Sequence, residues 1–381
     1  MQAKAIIIIE YNVMEGPTLN NNLNALDYAQ LCCDSMMKRF EAPVLPPSGR
    51  FHYHQGVLLS GFEYTWKNSG DDKYLTYIKE WVDSILLPDG TFSLVHDREL
   101  DGIMPCILLL NLYEKFPEEK YRKALDDAII KLKGWDFTPD GGFWHMRHLE
   151  NQMWLDGFYM ASPLLVRYGV KYNDEELITM AHKQMCLMHD NMRDKKTGLF
   201  YHACDFSKKA VWANPESGLS AEFWGRAMGW YVVAAIDIAS YLPEKHPLRD
   251  DFINIGVDLI KSLSQYQEKS TGLWYQVVDK GNLPDNWLET SCSALFTYAV
   301  SKAIRLGWLD ESYKEVASLG YKGVTDTVEI NRDGLLSVPR ICIGTCLGDY
   351  KFYINRSTQV DMLIGVGAFL LMCNEYHNLM R

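Results

Sequence analysis

A glycine followed two positions later by an aromatic residue or leucine, then a short extended stretch, recurs six times along this chain of 381 residues. The copies are Gly49-Arg50-Phe51-His52-Tyr53, Gly90-Thr91-Phe92, Gly141-Gly142-Phe143-Trp144-His145, Gly198-Leu199-Phe200-Tyr201-His202, Gly272-Leu273-Trp274-Tyr275 and Gly334-Leu335-Leu336, at spacings of 41, 51, 57, 74 and 62 residues. A motif repeated on this scale marks a supersecondary unit that buries its apolar face only against its neighbours. Each interval has room for two helices of about 11 to 20 residues and their connection.

The intervals read as helix pairs. The first member is apolar nearly all round, as over residues 152–170, so it must be covered on every side. The second is amphipathic, as Leu75, Ile78, Val82 and Ile85 show in one pair and residues 121–132 in another. One helix precedes the first loop, over about 23–40, and one follows the last, over about 360–380. Paired together they make a sixth hairpin and close a ring of twelve helices. The expected fold is therefore all-α, an (α/α)6 toroid, and without a Ser/Gly/Pro-rich linker residues 1–381 read as one domain. All six loops then ring one mouth, where a site belongs.

Composition narrows the partners. A net charge of −11 with no basic cluster argues against nucleic acid. The apolar runs are brief, so no membrane span is expected, and the Ala5–Ile9 stretch is too short for a signal h-region. Nine cysteines, an odd number without zinc spacing, fit a reducing, cytoplasmic setting. His52-x-His54 and His145-x-x-His148 lack a third ligand at a readable spacing, and no GxGxxG or P-loop is present, so neither a metal nor another cofactor is expected. Oligomeric state has no signature here.

Five polar clusters fall at the starts of the presumed inner helices: His52-Tyr53-His54-Gln55, Leu100-Asp101-Gly102, Trp154-Leu155-Asp156-Gly157, Trp224 to Trp230, and Glu289 to Ser293. Asp101 and Asp156 stand in helices that otherwise admit almost no charge, and glycosidic chemistry uses carboxylate pairs. Trp154 and Phe158 would desolvate Asp156 and raise its pKa, although a first-turn carboxylate is also favoured ionised by the helix dipole. Arg226, flanked by Trp224 and Trp230, suits either a carboxylate clamp or a structural ion pair. His145 and His202 suit either substrate hydroxyls or satisfied burial.

These clusters resemble the unsaturated rhamnogalacturonyl hydrolases, glycoside hydrolase family 105, akin to the unsaturated glucuronyl hydrolases of family 88. The resemblance rests on Tyr53-His54-Gln55-Gly56, Leu100-Asp101-Gly102, Gly141 to His145, Asn151 to Gly157, Trp224 to Trp230, and Gly348-Asp349-Tyr350-Lys351-Phe352-Tyr353. It departs from the family pattern at Met146-Arg147, Cys292 and the segment after Asp361.

The resemblance implies that Asp156 protonates C4 of a 4,5-unsaturated uronic acid and then helps water add at C5. The unstable hemiketal opens and releases the rest of a short pectin-derived oligosaccharide. By the same resemblance Asp101 assists, Arg226 and His202 hold the uronate, and Tyr53, Trp144, His145, Trp224 and Trp230 line the pocket. Rival readings are an unsaturated glucuronyl hydrolase acting on glycosaminoglycan- or ulvan-type disaccharides, a sugar 2-epimerase on the same toroid, and a non-catalytic sugar-binding toroid.

Overall fold

The computed structural model describes residues 23–94 and 97–381; the Ala5–Ile9 stretch lies outside them. In chain order the helices are α1 (Ala25–Arg39), α2 (Tyr53–Ser69), α3 (Lys73–Ile85), α4 (Leu108–Lys115), α5 (Glu119–Lys133), α6 (Leu155–Tyr172) and α7 (Glu175–Met192). They continue as α8 (Gly225–Tyr241), α9 (Arg249–Ser264), α10 (Thr290–Arg305), α11 (Lys314–Thr325), α12 (Tyr350–Ile354) and α13 (Leu363–Leu379).

Helices α2, α4, α6, α8, α10 and α13 form the inner ring, with α13 packed back on α2, and α1, α3, α5, α7, α9 and α11 lie outside. The first and last long helices do pair, α1 against α13, and the ring closes. The twelve expected helices are joined by α12, a short extra turn in the last loop. This closed ring of inner and outer helices is the (α/α)6 toroid. No helix among the described residues is long and apolar enough to cross a membrane. All nine cysteines are free thiols, seven of them buried.

Closure depends on small residues where α13 meets α2. A Cβ added at Gly367 would stand 2.6 Å from the Val57 carbonyl, and one at Gly61 would stand 2.6 Å from Leu370 Cβ. Only glycine lets the two backbones approach this closely.

The recurring loop glycines all adopt positive φ, from 73° at Gly198 and Gly334 to 90° at Gly90. They sit in tight turns just past each outer helix rather than capping it. Leu86 then bridges Phe92, Phe137 bridges Phe143, and Arg193 bridges Phe200. The aromatic two places on therefore returns antiparallel to the end of the outer helix and covers it. This accounts for the six-fold motif physically: glycine for the turn, an apolar residue for the lid.

Two expected helix starts are displaced. Residues 152–154 form a strand, β1 (Gln152–Trp154), paired with β2 (Ala203–Asp205) in the register Trp154↔Ala203. Asp101 lies in a 3-10 turn, Leu100–Gly102, because Pro105 postpones the α-helix to Leu108.

At the other end of the barrel every inner helix contributes a polar side chain, among them Glu63, Asn111, Arg167, Asp237, Lys302 and Glu375. Lys302 Nζ lies 2.7 Å from Asp237, whose carboxylate also accepts from the Tyr298 hydroxyl at 2.6 Å, and Arg305 pairs with Glu375.

Candidate active site

A recurring backbone hydrogen bond decides which loop meets which inner helix. The N–H of Leu100 donates to the His145 carbonyl (3.0 Å), Leu155 to His202 (3.0 Å), Gly225 to Gln276 (3.0 Å) and Thr290 to Arg340 (3.3 Å). In the first three, the acceptor is the fourth residue after a loop glycine. The side chain at that place is thus laid beside the first turn of the preceding inner helix, which brings His145 to Asp101 and His202 to Asp156.

Asp156 Oδ2 lies 3.1 Å from His202 Nε2, and His202 Nδ1 lies 2.8 Å from the Tyr353 hydroxyl. His202 and Tyr353 are fully buried and Asp156 nearly so. Burial pushes the Asp156 carboxyl up, but the charge and hydrogen bond of His202 outweigh it and hold the group below the ordinary aspartate range. This reverses the expected elevation by Trp154 and Phe158. The Trp154 ring instead stacks on His145 (4.6 Å, 18°) and meets His202 at 68°, and Phe158 packs on Tyr231.

Asp101 is the carboxyl that burial lifts well above its ordinary value, with the charges of Glu99 and Asp156 adding to the rise. Its Oδ1 is buried without a hydrogen-bond partner, His145 Nε2 being 3.6 Å away. On its other side His52 Nε2 lies 3.2 Å from Glu99 and 3.6 Å from Asp101 Oδ2. Burial also lowers His145 to about 4, so its ring is neutral at pH 7. The two carboxyls are thus pushed in opposite directions, Asp101 toward holding its proton and Asp156 toward losing it.

One ligand atom from each of His52, Glu99 and Asp101 lies within 4.8 Å of the others, the one such trio among the described residues. The two histidine pairs noted in the sequence do not form it. His54 instead faces His52, Nδ1 to Nδ1 at 3.0 Å, and burial lowers it to about 3. Beside this trio opens a cleft of about 340 Å³ lined by Arg50, His52, Arg98 and Glu99.

Arg226 lies 4.6 Å over the Trp224 ring, but both its terminal nitrogens are engaged by protein. Nη1 donates to the Cys342 carbonyl (2.6 Å) and Nη2 to that of Ile343 (2.7 Å), with Glu289 at 4.0 Å. Arg226, expected as a carboxylate clamp, is thus the bracket that holds residues 342–343 onto α8. Its charge still acts on Tyr53 and Asp156. Tyr53 meets Trp230 edge-on at 6.5 Å, and Trp230, wholly buried against Tyr159 at 4.8 Å, forms the floor. Trp224 lies 4.6 Å from the His202 ring. Trp144 is half-buried in the third loop, its backbone N–H donating to the Asp136 carbonyl at 3.0 Å, and no described contact joins its side chain to the carboxyls.

Three participants had no assigned role in the sequence reading. Tyr353 fixes His202; its position within the Gly348–Tyr353 motif was the available signal. Gln276 accepts from Trp224 Nε1 at 3.1 Å and donates to the Tyr353 carbonyl at 3.2 Å, and as the fourth residue after Gly272 it occupies the place of His145 and His202. Glu289, fully buried, accepts from the N–H groups of Cys292 (2.6 Å) and Cys342 (2.9 Å).

A family model described as Glycosyl Hydrolase Family 88 matches residues 28–380. A solved family 105 glycoside hydrolase from C. acetobutylicum ATCC 824 is 34% identical, with a TM-score of 0.87 over 92% of this chain and 99% of that one. The unsaturated rhamnogalacturonyl hydrolase YesR of Bacillus subtilis is 28% identical over 304 residues, 77% of this chain and 79% of its own length. Protein Atu3128 of Agrobacterium fabrum is 31% identical over 233 residues, 57% of this chain and 97% of its own length.

Proposed function

Because the chain belongs to Glycosyl Hydrolase Family 88, we propose that its single domain removes a 4,5-unsaturated uronic acid from the non-reducing end of short rhamnogalacturonan-derived oligosaccharides. The observation that carries this reading is the buried relay Asp156–His202–Tyr353 at the mouth, opposite Asp101, whose carboxyl burial lifts well above its ordinary value. The similarity to YesR supplies the substrate class. The free thiols fit the cytoplasm, where such small oligosaccharides would be taken apart. Glycosidase membership displaces the epimerase and non-catalytic readings.

Protonating C4 of an enol ether requires a carboxylic acid, and Asp156 is ionised at rest. A proton carried at the Asp156–His202 contact has only 3.1 Å to move between Nε2 and Oδ2. A uronate carboxylate entering the site repels the Asp156 anion and raises its pKa, which favours the protonated acid that the reaction needs. Asp156 then protonates C4, and the positive charge that develops at C5 is shared with the ring oxygen. Water adds at C5, giving its proton back to Asp156, so the double bond gains H and OH with no net oxidation. Asp101, its carboxyl raised by burial and by the charges of Glu99 and Asp156, favours the protonated form that can donate a hydrogen bond, and Arg226 and Tyr53 orient the uronate. Trp224, Trp230 and His145 wall the pocket against other water.

The test is a panel of unsaturated disaccharides from lyase digests of pectin, glycosaminoglycan and ulvan, followed by loss of the double bond's ultraviolet absorbance. The rhamnogalacturonan product should turn over with the highest kcat/KM. Faster turnover of a glycosaminoglycan or ulvan disaccharide would reassign the leaving sugar while keeping the chemistry.

A further inference from the structure

The ring of polar side chains at the closed end leaves one charge unanswered. Lys302 and Arg305 are paired with Asp237 and Glu375, Lys67 lies 2.7 Å from Glu63, and Lys171 lies 3.0 Å from Glu114. Arg167 has only the already paired Glu63, at 3.7 Å, and makes no hydrogen bond to any described residue. Its side chain is 11% exposed, lying 4.9 Å over the Tyr241 ring. Tyr241 and Glu63 favour its charge, yet its guanidinium donors are left free for a further acceptor.

The space around it indicates what that is. Arg167 and Tyr241 separate a small internal cavity, lined also by Glu63 and Asp237, from an outer pocket of about 260 Å³. The outer pocket is lined by Lys67, Asn111, Glu114, Val170 and Lys171 besides these two. The Asn111 amide nitrogen is close enough to Glu63 to help lower that carboxyl, yet it is buried without completing a hydrogen bond. Three cations face two carboxylates here, so the pocket carries one net positive charge on a protein whose net charge is −11. Local attraction thus acts against the field of the whole molecule.

We propose that this closed-end pocket binds a small carboxylate ligand of sugar-acid size, with Arg167 as its counter-ion. A single uncompensated charge matches a monoanion rather than a phosphate dianion. The planar two-donor edge of a guanidinium matches a carboxylate, and Lys171, Lys67 and the Asn111 amide flank it as further donors. The apolar faces of Leu110 and Val170 complete a wall suited to a ring's carbon skeleton. The pocket lies at the opposite end of the barrel from Asp156, so it is a second site whatever the reaction at the mouth.

The test is calorimetric titration of the full chain, in chloride-free buffer, with sodium glucuronate, sodium acetate and glucose. The wild type should show a saturable site for glucuronate, and glucose should not fill it. Acetate filling it equally well would identify any small carboxylate as the ligand, whereas glucuronate alone would identify a sugar acid. Arg226→Ala should retain this site, which separates it from binding at the mouth. Arg167→Gln should weaken it roughly 10- to 100-fold, the usual effect of losing a hydrogen bond to a charged group. Should Arg167→Gln fail to fold, the accessible substitution Lys171→Gln should weaken it several-fold. Absence of saturable binding, equal binding of glucose, or binding unchanged in both Arg167→Gln and Lys171→Gln would overturn the proposal.

Discussion

His202 Nε2 lies 3.1 Å from Asp156 Oδ2 while its Nδ1 is held 2.8 Å from the Tyr353 hydroxyl, so one imidazole links a carboxyl in α6 to a phenol in the last loop. If the proton for C4 is stored on this pair, His202→Gln should lower kcat by roughly 10² to 10³, the span for a positioned proton-transfer group. Tyr353→Phe should lower it far less and shift the acidic limb of the kcat profile, since the ring loses only its orienting partner. Comparing the pH profiles of the two variants with wild type checks this; a Tyr353→Phe loss as large as that of His202→Gln contradicts it.

Asp101 offers a stability measurement. Its folded pKa is raised by burial, so between an unfolded value of about 3.9 and that raised value the native state binds the extra proton, and stability falls as pH rises. Asp101→Asn cannot ionise. It should melt higher than wild type at pH 8, with the gap shrinking toward pH 4, while activity falls. A lower melting temperature for Asp101→Asn at pH 8 would show that the carboxyl is not buried neutral.

Arg226 has two duties that one substitution confounds, because it supports residues 342–343 as well as facing the pocket. Arg226→Ala should cost on the order of 2 to 5 kcal/mol in kcat/KM with the free acid. Against the substrate's methyl ester the loss should be smaller, and the difference is the carboxylate contact alone. Equal losses on acid and ester would leave Arg226 as a bracket only.

Ring closure through α2 and α13 is tested by Gly367→Ala. A Cβ 2.6 Å from the Val57 carbonyl forces the two helices apart, which should cost about 1 to 3 kcal/mol in unfolding free energy. Chemical denaturation measures it; an unchanged midpoint would mean the interface yields without strain.

The toroid was readable because its causes are local. Glycine in each tight turn and an apolar lid two places later leave a motif that survives large changes of spacing. The meeting of His202 with Asp156 was half legible: the fourth place after a loop glycine is fixed by a backbone hydrogen bond, which a sequence does not display. The protonation states were not legible. Trp154 beside Asp156 suggested an elevated pKa, but the decisive neighbour comes from 46 residues away and acts in the opposite direction. Equally, Arg226 among tryptophans gave no sign that carbonyls more than 100 residues away would take both its terminal nitrogens.

The most direct test is the turnover number of Asp156→Asn on the unsaturated rhamnogalacturonan disaccharide, followed by loss of the double bond's absorbance, with circular dichroism to verify folding. Proton delivery to C4 through Asp156 requires that kcat fall by roughly 10² to 10⁴ in a folded protein that still binds substrate. A folded Asp156→Asn enzyme with wild-type kcat would contradict it outright.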